Sequence, residues 1–389
     1  MIPYSRQRIS QADLRAVNEA LSSEFLTQGP RVVSFERALA RRVGAKYSVA
    51  VNSATSALHL ACLAIGVGEG DLVWTSAISF VASANAARYC GAEVDFVDIE
   101  ISSFNLSIKS LKSKLEERAA SGKKLPKVLV VVHMAGQPTN MSEVHELSLK
   151  YGFKIIEDAS HALGSSYKGY LTGSCEFSDV TVFSFHPVKM ITTGEGGVCL
   201  TNDAELFAKI QRLRSHGITR DINEMQNDYP GGWYYEQLDL GYNYRMTDFQ
   251  AALGESQLES LGFFVEDRNR IAHWYEENLV DAQVALPKIA SNVVSSFHLY
   301  IVLFQNSQLR KEAFERLRSM GILVNVHYLP IYRHPYYKNM NLYNPLDYPV
   351  AEDYYSRCLS IPIFPGLEEL DLTQVAKGIK GSIGHQTIF

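Results

Sequence analysis

VTVFSFHPVKMITTGEGGVCLT, residues 180–201, decides the fold. It holds two runs rich in Val and Phe, Val180–Phe185 and Gly197–Thr201, with the composition of buried strands. A loop rather than a clear helix joins them, which leaves room for one antiparallel member in the sheet. The loop carries Lys189, which follows a very apolar strand, sits in a turn with Pro187 and precedes the pair Gly196-Gly197.

Upstream the same kind of run recurs at Tyr47–Val51, Leu72–Thr75, Glu93–Asp98, Lys127–His133 and Lys154–Glu157. Helical patterns separate most of them: Ser56–Ile65, Ser79–Tyr89, Ile108–Arg118 and Met141–Tyr151. Alternation of this kind predicts an α/β domain with a mostly parallel, seven-stranded sheet. Downstream, residues 219–243 are loop-like and aromatic-rich. A helical region, Asp248–Leu279, breaks around Leu261-Gly262 and can link two domains. Ser296–Phe304 and Val324–His327 read as strands with a helix, Leu309–Met320, between them, giving a smaller C-terminal α+β domain. The division is 1–30 as an N-terminal segment, 31–255 as the large domain and 256–389 as the small one. A chain of 389 residues is long enough for two such domains.

Composition narrows the function. Hydrophobic residues make up 46% and charged residues 20%, ordinary for a soluble globular protein, and the net charge of -5 supplies no basic surface for nucleic acid. The five cysteines form no C-x-x-C pair, and four sit in apolar surroundings, so a reducing compartment is expected. The N-terminus lacks the apolar core of a signal peptide, and no apolar stretch approaches the ~20 residues of a membrane span. The cytoplasm is the expected location. No G-x-G-x-x-G follows the first strand, which argues against a dinucleotide fold. The histidines at 133, 145, 161, 186, 216 and 327 show no ligand spacing, so no metal site is expected, and His133 and His145 read as structural.

In parallel α/β sheets, ligands bind at the carboxyl ends of strands. Four such ends carry polar residues. After the first strand comes Asn52-Ser53-Ala54-Thr55-Ser56. The free N–H groups of a first helical turn, with the hydroxyls of Ser53, Thr55 and Ser56, can cradle a phosphate, although a plain N-cap is the commoner use of such a turn. Ile155-Ile156-Glu157-Asp158-Ala159-Ser160-His161 ends a strand in two carboxylates, with Asp158 placed to face a ligand; a helix cap would explain the same residues. Phe183-Ser184-Phe185-His186-Pro187-Val188-Lys189 offers a lysine in a desolvated turn and a hydroxyl, Ser184, within reach of a phosphate. Leu240–Asp248 is polar and aromatic and, by composition alone, is a capped helix start. Each signal is weak singly. Phosphate cradle, acid and lysine, each after its own strand and in that order, match what pyridoxal phosphate (PLP) requires: a phosphate to anchor, a ring nitrogen to keep protonated and an aldehyde to capture.

The chain resembles the sugar aminotransferases of the DegT/DnrJ/EryC1/StrS family, fold-type I PLP enzymes, from Ile2 to about Pro365. FLTQGP, NSATSAL, EDASHALGS, FSFHPVKMITTGEGG and GYNYRMTDFQAALG carry the likeness. It implies that Lys189 is the Schiff-base lysine and Asp158 the acid paired with the pyridine nitrogen, both catalytic. His161 then falls beside the ring hydroxyl and Phe80 stacks on the ring. Ala54, Thr55 and Ser184 contact the phosphate, and Asn243 reaches it from a neighbouring subunit, implying a homodimer with shared active sites. Trp233-Tyr234-Tyr235 then reads as interface. Tyr4, Glu24, Phe25, Leu26 and Thr27, with Val326, His327 and Tyr328, fall where relatives hold a nucleotide sugar, so that residues 1–30 line the active site. IPYSRQ, EFLTQGP and VHYLPIYRHPYY resemble members acting on a UDP-linked 4-keto-6-deoxy-N-acetylhexosamine in pseudaminic acid biosynthesis, with L-glutamate as donor and ping-pong turnover. Aminotransferases for dTDP- or GDP-linked 4-keto sugars are the alternative. A 3-dehydratase or a non-catalytic binding protein of the same fold is disfavoured because Lys189 and Asp158 are present. Some relatives have Lys after the His-Tyr pair where this chain has Leu329, which leaves Arg6, Arg8, Arg31 or Arg333 to neutralise the nucleotide phosphates.

Overall fold

A computed structural model describes residues 1–383. Its centre is one seven-stranded sheet made of β1 (Tyr47–Val51), β2 (Leu72–Ser76), β3 (Glu93–Val97), β4 (Val128–Val132), β5 (Lys154–Asp158), β6 (Val180–Ser184) and β7 (Gly197–Thr201), in the spatial order β1-β7-β6-β5-β4-β2-β3. Strands β2 to β6 run parallel, whereas β7 is antiparallel to both neighbours, β6 and β1. The loop between β6 and β7 is the place where no helix was expected, and without a crossover helix a strand has to return antiparallel. The register sets Val132, Asp158 and Val182 side by side, and Ser184, Gly197 and Val51 side by side. The carboxyl ends of β4, β5, β6 and β1 therefore meet along one edge.

Strand β4, Val-Leu-Val-Val-Val, is buried throughout because both faces of the sheet are covered. Val128 and Val130 enter a core shared with α3 (Ala54–Ile65) and α4 (Ala82–Tyr89). Leu129 and Val131 enter another with α5 (Ile108–Ala120) and α6 (Met141–Tyr151). Helix α3 is apolar nearly all round, as a helix between sheet and further helices must be, and Gly66 in a left-handed conformation ends it. The helices α1 (Gln11–Leu21), α2 (Pro30–Val43) and α7 (Ala204–Arg214) go beyond the elements named from sequence. Phe35 and Leu39 of α2 pack with Phe183, Phe185 and α8 (Asp248–Glu259) in a third core.

A fourth core joins α9 (Leu261–Asn278), β8 (Tyr300–Leu303), α10 (Ser307–Ser319), β9 (Cys358–Ile361) and a last helix, Glu369–Ile383, with Ile2 inserted. The expected strand Ser296–Phe304 shrinks to Tyr300–Leu303. The expected strand Val324–His327 does not form: Asn325 makes a single bridge to Ser360, and the partner of β8 is β9. The expected helix Ser79–Tyr89 begins only at Ala82, after a turn in which the Ser79 and Ser83 hydroxyls bond at 2.7 Å. Among the described residues no helix is long and apolar enough to cross a membrane, and no cluster of His, Cys, Asp and Glu could hold a metal ion.

Candidate active site

A cavity of about 600 Å³ opens at the edge where β1, β4, β5 and β6 end. Strand alternation decides which side chains enter it. On β5, Ile156 faces the core of α3, so Asp158 faces the same side; Ile155 faces the opposite layer, and Glu157 goes with it. Glu157 is spent on structure. It accepts hydrogen bonds from His133 Nε2 at 2.6 Å and Thr181 Oγ1 at 3.0 Å, and from Ser178. Burial alone would raise its pKa, but these donors outweigh it and hold the carboxyl below the usual range. Asp158 is buried and points into the cavity. Ser83 Oγ donates to its Oδ2 at 2.6 Å, and Ser160 donates to its Oδ1 from Oγ at 2.6 Å and from the backbone at 3.2 Å. The Ser79 hydroxyl backs Ser83 in turn.

Along β6, Val180 and Val182 lie in the same core, and Ser184 continues that face into the cavity. Beside it, Ser53 caps α3 by accepting from the Ser56 N–H at 3.1 Å, and the Ser56 hydroxyl donates to Asn52 at 2.7 Å. Those two hydroxyls are therefore engaged by the cap. The first-turn N–H groups of Ala54 and Thr55, with the Thr55 and Ser184 hydroxyls, remain for an anion. Gly197 lets this helix start press on the sheet, since a Cβ there would lie 2.5 Å from Ala54 N.

Lys189 lines the same cavity as the anion cradle. Burial lowers its pKa from 10.5 to about 8, against an upward pull from Asp158. The Ser5 hydroxyl donates to the carbonyl of Val188 at 3.1 Å, which ties the N-terminal segment to the lysine loop and brings Tyr4 into the wall. His161 Nδ1 accepts the Ala135 N–H at 3.3 Å, so the ring carries its proton on Nε2 and donates it to the Tyr328 hydroxyl at 3.1 Å. Burial, then the charge of Lys189, keeps His161 far below its usual pKa and neutral. His327 is held by Ser360 Oγ at 2.8 Å and is pushed down to about 3 by burial and Lys189. Phe80 is 57% exposed, and its ring forms a bare apolar wall 6.1 Å from that of Tyr328. A flat cation-bearing ring with a phosphate at one end fits this donor set: anion cradle, aromatic wall, carboxylate and lysine.

Of the residues singled out from sequence, Tyr4, Ala54, Thr55, Phe80, Asp158 and His161 line this cavity, as do Ser184, Lys189, Val326, His327 and Tyr328. Asn243 and Glu24, Phe25, Leu26 and Thr27 do not line the cavity of their own chain; all five are exposed. Asp248 at the start of α8 straps that N-terminal stretch, accepting from the backbones of Gly29 and Arg31, while its own N–H donates to Leu26. None of the four arginines lines the cavity. Arg333 pairs with Glu352 and Arg31 with Glu19, while Arg6 and Arg8 lie over the rings of Phe364 and Phe263. Sequence reasoning missed Ser83, Ser160 and His298. Ser83 stands four residues after Ser79, a helical spacing that could have flagged it, whereas His298 was hidden inside an apolar run read as strand.

Residues 7–380 match the DegT/DnrJ/EryC1/StrS aminotransferase family. The chain is 40% identical over 386 residues to the UDP-4-amino-4,6-dideoxy-N-acetyl-β-L-altrosamine transaminase of Campylobacter jejuni, covering 98% of this chain and 96% of that one. Among solved structures, the Helicobacter pylori aminotransferase PseC, involved in the biosynthesis of pseudoaminic acid, superposes with a TM-score of 0.89 at 33% identity, covering 98% of both chains. A putative sugar aminotransferase of Streptococcus pneumoniae in its PLP form superposes with a TM-score of 0.88 at 28% identity, again over 98% of both. The chain therefore belongs to the DegT/DnrJ/EryC1/StrS family and is a sugar aminotransferase.

Proposed function

We propose that this enzyme uses PLP to move an amino group from L-glutamate to C4 of a UDP-linked 4-keto-6-deoxy-N-acetylhexosamine, a step of pseudaminic acid biosynthesis. The observation that carries the reading is the placement of Lys189, with its depressed pKa, in one cavity with Asp158 and the free N-terminus of α3. The amino sugar in the Campylobacter relative's name, the product of such a transfer, supports the UDP sugar. Ala54, Thr55 and Ser184 would hold the phosphate of PLP, Phe80 would cover its ring, His161 would meet its ring hydroxyl, and Asp158 would keep a proton on its ring nitrogen. When bound, PLP supplies an aldehyde that captures amines and a ring that takes up the electron pair left on carbon. Lys189 Nζ holds and moves the proton of the donor Cα; an amine with a pKa of about 8 is partly deprotonated near neutral pH and can act as base and then as acid. Tyr4, Val326, His327 and Tyr328 border the space left for the sugar.

Asn243 and Glu24–Thr27, exposed and outside their own cavity, serve the cavity of a second copy in a homodimer. Trp233, 75% exposed, and Leu240, 82% exposed, support such an interface. The five unpaired cysteines support a reducing compartment, the cytoplasm.

The test is spectroscopic. Purified protein loaded with PLP is expected to be yellow, to bleach with L-glutamate and to regain its band with the UDP-linked 4-keto-6-deoxy sugar. Bleaching without recovery would reject this sugar, and recovery with a dTDP- or GDP-linked 4-keto sugar would replace it. A protein that takes up no PLP would sink the whole reading.

A further inference from the structure

Among the described residues, the His298 ring has one polar partner. Its Nε2 lies 3.5 Å from Lys189 Nζ, and its Nδ1 is buried with no hydrogen-bond partner. Its ring packs on that of His161 with centroids 4.4 Å apart, but both His161 nitrogens are already taken by Ala135 and Tyr328. A buried, unsatisfied nitrogen destabilises a fold, and an apolar side chain would fill the same space without that cost. The ring's position is also firmly built. Buried Arg268 donates from Nη1 to the carbonyls of Phe297, His298 and Ile363 at 3.2, 3.2 and 2.8 Å. Ser296 Oγ donates to the His161 carbonyl at 2.9 Å, and Ser295 Oγ to that of Gly136 at 3.1 Å. Three buried polar side chains thus fix a loop whose imidazole aims a single nitrogen at the lysine.

We propose that His298 is a positioning residue for Lys189: a neutral imidazole that accepts an N–H of the free lysine amine and holds Nζ in the cavity wall whenever the lysine is not bound to cofactor. The inference rests on the reading of Lys189 as the cofactor lysine. Neutrality follows from the surroundings. Burial pushes His298 far below its usual pKa, and the charges of Lys189 and Arg268 add to the effect. The groups facing Lys189 are Asp158, which raises its pKa, and the neutral rings of His161, His298 and His327. A hydrogen bond accepted from an ammonium favours its charged form, so His298 opposes the burial that lowers Lys189.

The experiment compares His298→Asn with His298→Leu. The two side chains are nearly equal in size, but only Asn offers an acceptor. In cofactor-free protein, the reaction of Lys189 with acetic anhydride is followed against pH by mass spectrometry of its peptide. Wild type is expected to titrate near 8. His298→Leu is expected to bring the midpoint down by roughly half a pH unit or more, with His298→Asn close to wild type. In PLP-loaded protein, bleaching by L-glutamate should slow roughly 10-fold or more in His298→Leu and recover in His298→Asn. Equal midpoints and equal bleaching rates in the two folded variants would overturn the proposal. His298→Phe, which keeps a ring's volume, replaces His298→Leu if that variant does not fold. A wild-type protein that bound no PLP would remove the reading of Lys189 instead, an outcome distinct from unchanged midpoints.

Discussion

The two halves of the cavity are built by different means. The half holding Asp158, Ser184 and the start of α3 is a continuation of the sheet: each residue ends a strand whose preceding residues are core, and the register fixes the strands side by side. The half holding Tyr4, Val326, His327 and Tyr328 comes from opposite ends of the chain, joined by the Ser5–Val188 and Asn325–Ser360 contacts. Positions in the first half are set by hydrogen-bonded ladders, which leave little freedom to side chains on them. Those in the second are set by loops, where the chain tolerates change. Chemistry common to a family belongs on the first half, and substrate choice on the second.

The largest expected effect falls on the loop that leaves the first half after β6. Lys189→Ala should lower turnover roughly 10⁴-fold or more, because the variant loses both the amine that holds PLP and the proton carrier. Near-wild-type transamination by this variant would move the chemistry away from the strand ends. Next is Asp158→Asn, expected to cost roughly 10²–10³-fold in the glutamate half-reaction, with the Ser83 and Ser160 contacts largely kept in geometry but no charge to hold a protonated ring nitrogen. A loss of only a few-fold in stopped-flow bleaching would mean that Asp158 is a structural cap after all.

Asn243 tests the comparison from outside, since it lies in neither half of its own cavity. If it serves the phosphate of a second copy, Asn243→Ala should weaken PLP binding roughly 10-fold or more, the value of a hydrogen bond to a charged group. Mixing Asn243→Ala with Lys189→Ala at limiting PLP should then restore about a quarter of wild-type activity, because each two-fold mixed dimer has one intact site. No restoration on mixing would assign Asn243 to its own chain.

The same contrast explains what could be read from sequence. All seven strands of the sheet were legible because strands covered on both faces are plain apolar runs, and the polar residue ending each run stood out against them. Asp158 was visible for that reason, and Lys189 as a lysine in the turn that follows such a run. Ser83 and His298 were not. Ser83 shows itself only through its four-residue spacing from Ser79, a faint signal among the small residues of α4, and His298 owes its place to Arg268 and to the loop of Ser295 and Ser296, contacts that sequence spacing does not show. The strand expected at Val324–His327 failed likewise. Its apolar spacing fits a strand, but only Asn325 finds a partner in Ser360, and the residues after it turn into the cavity. Glu24–Thr27 and Asn243 were singled out by resemblance alone, and in one chain they line no part of the cavity.

The smallest expected effect is on stability, and it measures what the fold gives up to bury Lys189. In the cofactor-free protein, burial holds Lys189 at about 8, whereas an unfolded lysine titrates near 10.5. Below pH 8 the lysine is charged in both states, and the folded state bears the full cost of desolvating that charge. Between pH 8 and 10.5 the unfolded chain binds the extra proton, so folding stability from this group rises with pH. Above 10.5 the amine is neutral in both states and the cost is gone. Lys189→Met keeps the chain length without the charge, so it should stabilise the cofactor-free protein at pH 7 by on the order of 1–3 kcal/mol, after allowance for partial solvent access and for the lost His298 contact. The gain in denaturant midpoint should shrink as pH is raised through 8 toward 10. A gain that stayed constant with pH would come from packing alone, and a loss at pH 7 would mean that the cavity stabilises the ammonium instead of straining it, which would remove the case for Lys189 as a base near neutrality.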